Sequence, residues 1–191
     1  MTKAIKMAKV SAKGGFNLFW GSIASTIISA VGVIIIARLL SPSEYGLVSI
    51  VLMAPNLITI FRDWGVNFAI TKYVAQYRSE NKTAEVKGIL TAGVLSELVL
   101  GFSLSFVSFM LSGFLAANIF NRPEIEPLIQ VASITVLAGA LLTAARSAFT
   151  GYEKMEYNSI TMICQSALKT VLAPLLVILG YGVFGVIFGS T

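Results

Sequence analysis

Apolar residues fill this chain in long runs, and short polar clusters cut the runs apart. At a rise of about 1.5 Å per residue, roughly 20 apolar residues in a helix cross a hydrocarbon core of about 30 Å. That rule places membrane spans at 16–40, 45–63, 88–117, 127–148 and 157–179, with a sixth opening at 182 and incomplete at 191. The polar clusters between them are turn-forming: SPSEYG follows the first span, NRPEIEP joins the third and fourth, and GYG parts the fifth from the sixth. Both Pro-containing connections are short, so the helices that they join should be antiparallel neighbours. Pro55 and Asn56 interrupt the second span, and Arg62 lies at its end. The expected fold is an all-α polytopic membrane protein of five to six transmembrane helices, with a basic segment at 1–15 and an amphipathic connection at 64–87.

Polar residues inside the spans fall into stripes at steps of three and four. The third span carries Gly93, Glu97, Gly101, Ser105, Ser108 and Ser112 on one face. The fourth carries Thr135, Gly139, Thr143, Arg146 and Thr150, the fifth Asn158, Thr161, Gln165 and Lys169, and the first Gly21, Ser25 and Ser29. In lipid, such faces mark helix–helix contact, because small residues allow close approach and polar ones bond across it. The connection has its own pattern: Val66, Ile70, Tyr73 or Val74, and Tyr77 make one apolar face, with Asn67, Thr71, Lys72 and Arg78 elsewhere on the turn. This predicts a short helix lying on the inner interface, anchored by Trp64, Tyr73 and Tyr77, with Lys72 and Arg78 toward anionic headgroups.

Composition strengthens the membrane reading and closes off several chemistries. Of 191 residues, 56% are hydrophobic and 12% charged, and the mean hydropathy is +0.83. The net charge of +5 would suggest nucleic acid in a soluble chain. Here the basic residues lie between apolar runs, so they report topology, and no nucleic-acid partner is expected. One side receives Lys3, Lys6, Lys9, Lys13, Arg62, Lys72, Arg78, Lys82, Lys87, Arg146 and Lys154, and the other only Arg38 and Arg122. The N-terminus is therefore expected in the cytoplasm. The apolar run from Phe16 to Ala37 is too long for a signal-peptide core and has no small-x-small cleavage site after it, so it reads as a first helix that stays. The absence of histidine excludes His-based metal sites and triads. The single cysteine, Cys164, forms no internal disulfide and is expected to pack. Without a phosphate-binding loop, a paired-Cys motif or a carboxylate-rich loop, no enzyme and no cofactor is expected.

Two ionisable residues stand out by depth. Glu97 lies about 14 Å and Lys169 about 18 Å from the starts of their spans, near mid-bilayer. A charge there costs at least ~2.5–3.5 kcal/mol unless it finds a partner or water. Either the two pair with each other, or one or both face a hydrated cavity used by a substrate or coupling ion. Arg38 and Arg146 lie near span ends and can snorkel to the interfaces.

The run IIIARLLSPSEYGLVSIVLMAPNLITIFRDWGVNFAITKYVAQYR resembles the N-terminal signature of oligosaccharide flippases, the polysaccharide-biosynthesis branch of the multidrug/oligosaccharidyl-lipid/polysaccharide exporter superfamily. The resemblance lies in Arg38, Leu39 and Leu40 ending the first helix, Pro42, Glu44, Tyr45 and Gly46 opening the second, and Asp63 and Gly65 closing it. Further on, FTGYEKMEYNSI and the Lys169-bearing helix are similar to the family's fourth-to-fifth helix connection. The resemblance implies a transporter of two six-helix lobes around a central cavity, moving a polyprenyl-diphosphate-linked oligosaccharide by alternating access, with membrane lipids around it. This chain resembles the N-terminal lobe alone, so a C-terminal lobe or a second copy is an expected partner, and the chain is expected to be a fragment. On that resemblance the substrate pathway is assigned first to Lys169 and second to Arg146, with Gln165, Asn56, Arg62, Asp63 and Arg38 along it. Arg62 and Asp63 would guard its cytoplasmic mouth, and Glu97 would be the site of a coupling proton or sodium ion. A multidrug/cation antiporter, a peptidoglycan-precursor flippase and a non-transporting membrane assembly subunit are the competing readings. Gly185 and Gly189, at small-xxx-small spacing, predict helix packing at the end of the chain.

Overall fold

The computed structural model describes residues 3–62 and 65–190, and the described residues contain helices and no strands. In chain order the α-helices are α1 (Lys3–Leu39), α2 (Pro42–Thr59), α3 (Val66–Ser79), α4 (Thr83–Met110), α5 (Ser112–Phe114), α6 (Glu126–Ala132), α7 (Ile134–Gly151), α8 (Met155–Leu176) and α9 (Gly182–Ser190). Five stretches are long and apolar enough to cross a membrane: Ala12–Leu39, Pro42–Arg62, Thr83–Met110, Pro123–Gly151 and Met155–Ser190. This is an all-α polytopic membrane protein. The basic N-terminal segment is no separate element, since helix α1 already begins at Lys3.

Local chemistry sets the corners. Between α1 and α2 a capping box forms: the Ser41 backbone N–H donates to Glu44 Oε2 at 2.8 Å, and the Glu44 N–H donates to Ser41 Oγ at 3.3 Å. Pro42 in the first turn loses no helical hydrogen bond. At the other end of the chain the fifth apolar stretch is not one rod. Gly180 and Gly182 have φ of +93° and +50°, a region open to glycine, and the chain turns back there. Helix α9 then runs antiparallel along α8. A Cβ at Gly185 would come within 2.8 Å of Leu176, and one at Gly189 within 2.5 Å of Ala173, so both glycines serve this hairpin.

Packing divides into three zones. Helices α1 and α8 run parallel in contact along their lengths. Gly21 faces Ser159, Gly32 faces Thr170, and Ser29 Oγ donates to Ser166 Oγ at 3.2 Å. Ser159 Oγ donates to the Asn17 carbonyl at 2.7 Å, and Thr170 Oγ1 to that of Ile28 at 3.0 Å. In the second zone α4 packs antiparallel to α7, with Gly101 against Ala140 and Leu137, and Ser105 Oγ donating to the Ser133 carbonyl at 2.8 Å. An apolar core forms the third zone, where Val51, Ala54 and Ile58 of α2 meet Leu115, Ala116, Ile125, Ile129 and Ala132, together with Ile187 of α9.

Helix α3 departs from the expected interfacial position. Its apolar face does exist, but protein covers it: Ile70 sits against Gly93 of α4, Val74 against Gly151 of α7, and both are buried with Val86 and Ala144. Thr71 Oγ1 adds a bond to the Ser147 carbonyl at 3.2 Å. The α3 axis follows α7 and opposes α4, so it continues the direction of α2 after a break at a 3₁₀ turn, Ile60–Arg62, and Gly65 with φ of +82°. Two glycines opposite two branched residues explain the difference, since they let α3 enter a slot that a hydropathy pattern cannot reveal. Tyr73 keeps an exposed position, stacked with Tyr77 at 6.1 Å between ring centroids. Trp64, expected as a further anchor, lies outside the described residues.

The α1–α8 contact gives a direct test. A leucine at Gly21 would place its Cβ 2.5 Å from that of Ser159, whereas a Cβ at Gly15 meets nothing within 4 Å among the described residues. Gly21→Leu is expected to destabilise the detergent-solubilised protein by about 1–3 kcal/mol, the usual cost of overpacking. Gly15→Leu should leave the melting temperature unchanged, and thermal unfolding of the two variants checks it.

Candidate functional site

The polar stripes of the third, fourth and fifth spans meet in two places. The first is a buried cluster among α3, α4 and α7. Glu97 has no solvent exposure, and Asn67 Nδ2 donates to its Oε1 at 3.0 Å. Ser147 Oγ donates to Asn67 Oδ1 at 3.2 Å, so the amide joins the carboxyl of α4 to the hydroxyl of α7. Along the same face of α4, Gly93, Gly101, Ser108 and Ser112 are buried. Asn67 had been placed on the polar side of a surface helix by its sequence, and its role beside Glu97 appears only once α3 is seated.

The second place is a groove of about 480 Å³ between α7 and α8. Thr135, Gly139 and Leu142 line one wall, and Thr161, Cys164, Gln165 and Lys169 the other, with Ser190 at one end. Arg146 Nη2 donates to Gln165 Oε1 at 2.7 Å, which ties the two helices below the groove. Beside that bridge Asn158 Nδ2 donates to Thr150 Oγ1 at 3.2 Å, and the rings of Phe149 and Tyr157 stack at 5.7 Å. Arg146 Nε is buried with no acceptor among the described residues. The Lys169 ammonium donates to the Ser190 carbonyl.

Arg62 joins this face from the end of α2. Its Nη2 donates to Thr143 Oγ1 at 3.2 Å, and a Cβ at Gly139 would lie 3.1 Å from its Nη1. Gly139 and Thr143 stand about 18 and 12 Å from Gly151, the end of α7. Arg62 thus ends the second apolar stretch level with Gly139 and Thr143 of α7, and α3 runs on along α4 and α7 beyond it. Three cations from three segments, Arg62, Arg146 and Lys169, thus approach one face of α7 and α8. Among the described residues none of the three forms an ion pair with a carboxylate. The ion pairs found are exposed, Arg78–Glu153 at 3.7 Å and Lys82–Glu80 at 2.6 Å. In the latter, the Lys82 ammonium bonded to Glu80 holds its carboxyl below the ordinary value, and Glu80 in turn raises Lys82. Both groups are fully exposed, and water screens them.

Several expected site residues lie elsewhere. Glu97 and Lys169 do not pair with each other: one is held by Asn67 of α3, the other by the end of α9. Arg38 is exposed in the last turn of α1, and Asn56 is exposed on α2, its carbonyl accepting from Thr59 Oγ1 at 2.7 Å. Asp63 lies outside the described residues. Cys164, expected to pack, is exposed on the groove wall, because the fifth span turns its Thr161–Gln165 face toward the gap. The sequence pattern alone did not show Gly139 and Thr143 receiving Arg62. Their place on the polar stripe of the fourth span was the available signal, and the partner came from a segment 81 positions away in sequence.

Comparison with known proteins agrees with this architecture. The sequence signature of the polysaccharide biosynthesis protein family matches residues 11–191. The chain is 28% identical over 152 residues to the uncharacterized membrane protein MJ1375 of Methanocaldococcus jannaschii, a match covering 79% of this chain and 34% of that protein. The match thus takes in about a third of that relative's length. No solved structure matches. With nearly its whole length matched, this helical membrane chain belongs to the polysaccharide biosynthesis protein family.

Proposed function

We propose that this chain is the N-terminal lobe of a flippase that carries a polyprenyl-diphosphate-linked oligosaccharide across the cell membrane for surface polysaccharide synthesis, with its lysine-rich end in the cytoplasm. The observation that carries the reading is the gathering of Arg62, Arg146 and Lys169 on one face of α7 and α8, within the apolar stretches, where their described partners are neutral: Thr143, Gln165 and a backbone carbonyl. A cation at that depth is costly, and an anionic group in the groove offsets the cost. Guanidinium groups match the paired oxygens of a diphosphate, and the lysine adds a point charge. The groove lining offers one cation, Lys169, one amide, Gln165, and the hydroxyls of Thr135, Thr161 and Ser190, with no carboxylate among the described residues, a set suited to holding an anion and releasing it unchanged. We therefore read the protein as a transporter and not an enzyme. It works with a second lobe that completes the cavity, from the same polypeptide or a second copy. Membership of a polysaccharide biosynthesis family supports the saccharide cargo. Glu97, wholly buried and held by Asn67, is the ionisable group that we assign to a coupling proton or sodium ion.

Two experiments on the full-length protein in vesicles test these assignments. With a fluorescent prenyl-diphosphate-linked saccharide, Lys169→Gln and Arg146→Gln should each slow transport about tenfold or more, the scale of one lost charge-assisted bond. Lys169→Arg should retain most of the rate. Wild-type rates in both glutamine variants would remove the anion pathway from this groove. For coupling, Glu97→Gln should leave transport measurable but independent of the proton or sodium gradient, and a rate that still follows the gradient would take the coupling role from Glu97.

A further inference from the structure

Gly139 has a neighbour unlike those of the other close-packed glycines in the bundle. Where Gly21, Gly93, Gly101, Gly151 and Gly189 each face several atoms of a packed helix, a Cβ at Gly139 would meet, among the described residues, a single heavy atom within 4 Å, Arg62 Nη1 at 3.1 Å. Gly139 also lines the α7–α8 groove. One turn further along α7, Thr143 Oγ1 accepts the bond from Arg62 Nη2 at 3.2 Å while donating to the Gly139 carbonyl at 2.7 Å. The guanidinium therefore covers the stretch of α7 that a side chain at 139 would occupy. Such a side chain would leave the helix–helix contacts of α7 untouched, and would lift the arginine off Thr143 and away from the groove wall.

We propose that Gly139 is a positioning residue: by lacking a side chain it seats the Arg62 guanidinium on Thr143 beside the groove, and so sets how strongly the groove attracts an anion. This inference rests on the anion-carrying reading above, and adds to it a specific means by which a charge from the second span enters the field of the fourth and fifth. It also explains why a glycine stands at 139 within a stripe of Thr135, Thr143, Arg146 and Thr150, where close packing against a neighbouring helix does not require it.

A double-mutant cycle separates action through Arg62 from damage to the groove. Binding of farnesyl diphosphate to the purified full-length protein is measured by titration calorimetry, with farnesol as the uncharged control, and thermal unfolding confirms that each variant is folded. Arg62→Gln should weaken farnesyl diphosphate binding about tenfold and leave farnesol unaffected. Gly139→Leu should weaken it by a similar factor in the presence of Arg62, and by none in the Arg62→Gln background. If Gly139→Leu does not fold, Gly139→Val is read in the same cycle. An equal loss in both backgrounds overturns the proposal, because the side chain then acts on the groove itself. So does an unaltered affinity in Gly139→Leu when Arg62→Gln binds weakly. If Arg62→Gln binds normally while Lys169→Gln does not, the proposal fails and the anion reading stands. If the wild type binds farnesyl diphosphate no better than farnesol, both fall.

Discussion

Lipid tails are as apolar as leucine, so nothing hydrophobic drives one membrane helix against another, and this bundle depends on how closely its backbones can approach. The α1–α8, α3–α4, α3–α7, α4–α7 and α8–α9 contacts each have a glycine at a point of close approach. Gly21 and Gly32 admit α8 to α1, Gly101 admits α7 to α4, Gly93 and Gly151 admit α3, and Gly185 and Gly189 admit α9 to α8. Hydroxyls at the same levels then bond across to carbonyls, as Ser159 does to Asn17 and Ser105 to Ser133. The large apolar residues point the other way, and Phe16, Trp20, Phe102, Phe106 and Phe188 are exposed where lipid would cover them. This inverts the order of a soluble core, and the bilayer as solvent is the reason.

From close approach follows the depth of the charged groups. Because α3 fits between Gly93 and Gly151, the chain does not leave the bundle at Arg62, where the second apolar stretch ends, but breaks there and runs on. The break at Ile60–Arg62 and Gly65 leaves Arg62 deep in the bundle, aimed at α7, and brings Asn67 level with Glu97. The same insertion therefore supplies a partner for the buried carboxyl and a third cation for the α7–α8 groove. Two functional assignments, ion coupling and anion attraction, hang on a single packing event.

The groove itself is what remains where close approach stops. Helices α7 and α8 are tied near their connection by the Arg146–Gln165 and Asn158–Thr150 bonds, and at the opposite end α6 and α9 share an apolar core with α2. Between these ties the two helices stand apart, and Lys169, Gln165, Thr135, Thr161 and Ser190 share the lining of the gap with the apolar Leu142, Ile160 and Leu168. That contrast with the glycine-rich seams elsewhere in the bundle is the structural basis for reading the gap as a pathway.

The sequence by itself determined the class, the spans and the inward faces. Hydropathy marks the apolar runs because each must satisfy its backbone inside lipid, and of the stripe Gly93, Glu97, Gly101, Ser105, Ser108 and Ser112 all are buried but Ser105, which is half-buried. The turn chemistry of SPSEYG and GYG was equally local, resting on a capping box and on glycines at positive φ. Only the tertiary structure decided which stripe faces which, because stripes of the same spacing fit several partners. It packed the apolar face of α3, Ile70 and Val74, against α4 and α7, since an apolar face has the same pattern whether lipid or protein covers it. It parted Glu97 from Lys169, set Arg62 against Gly139 and Thr143 of α7, and turned Cys164 outward. Each of those outcomes is a matter of contact between segments far apart in sequence, which no local pattern encodes.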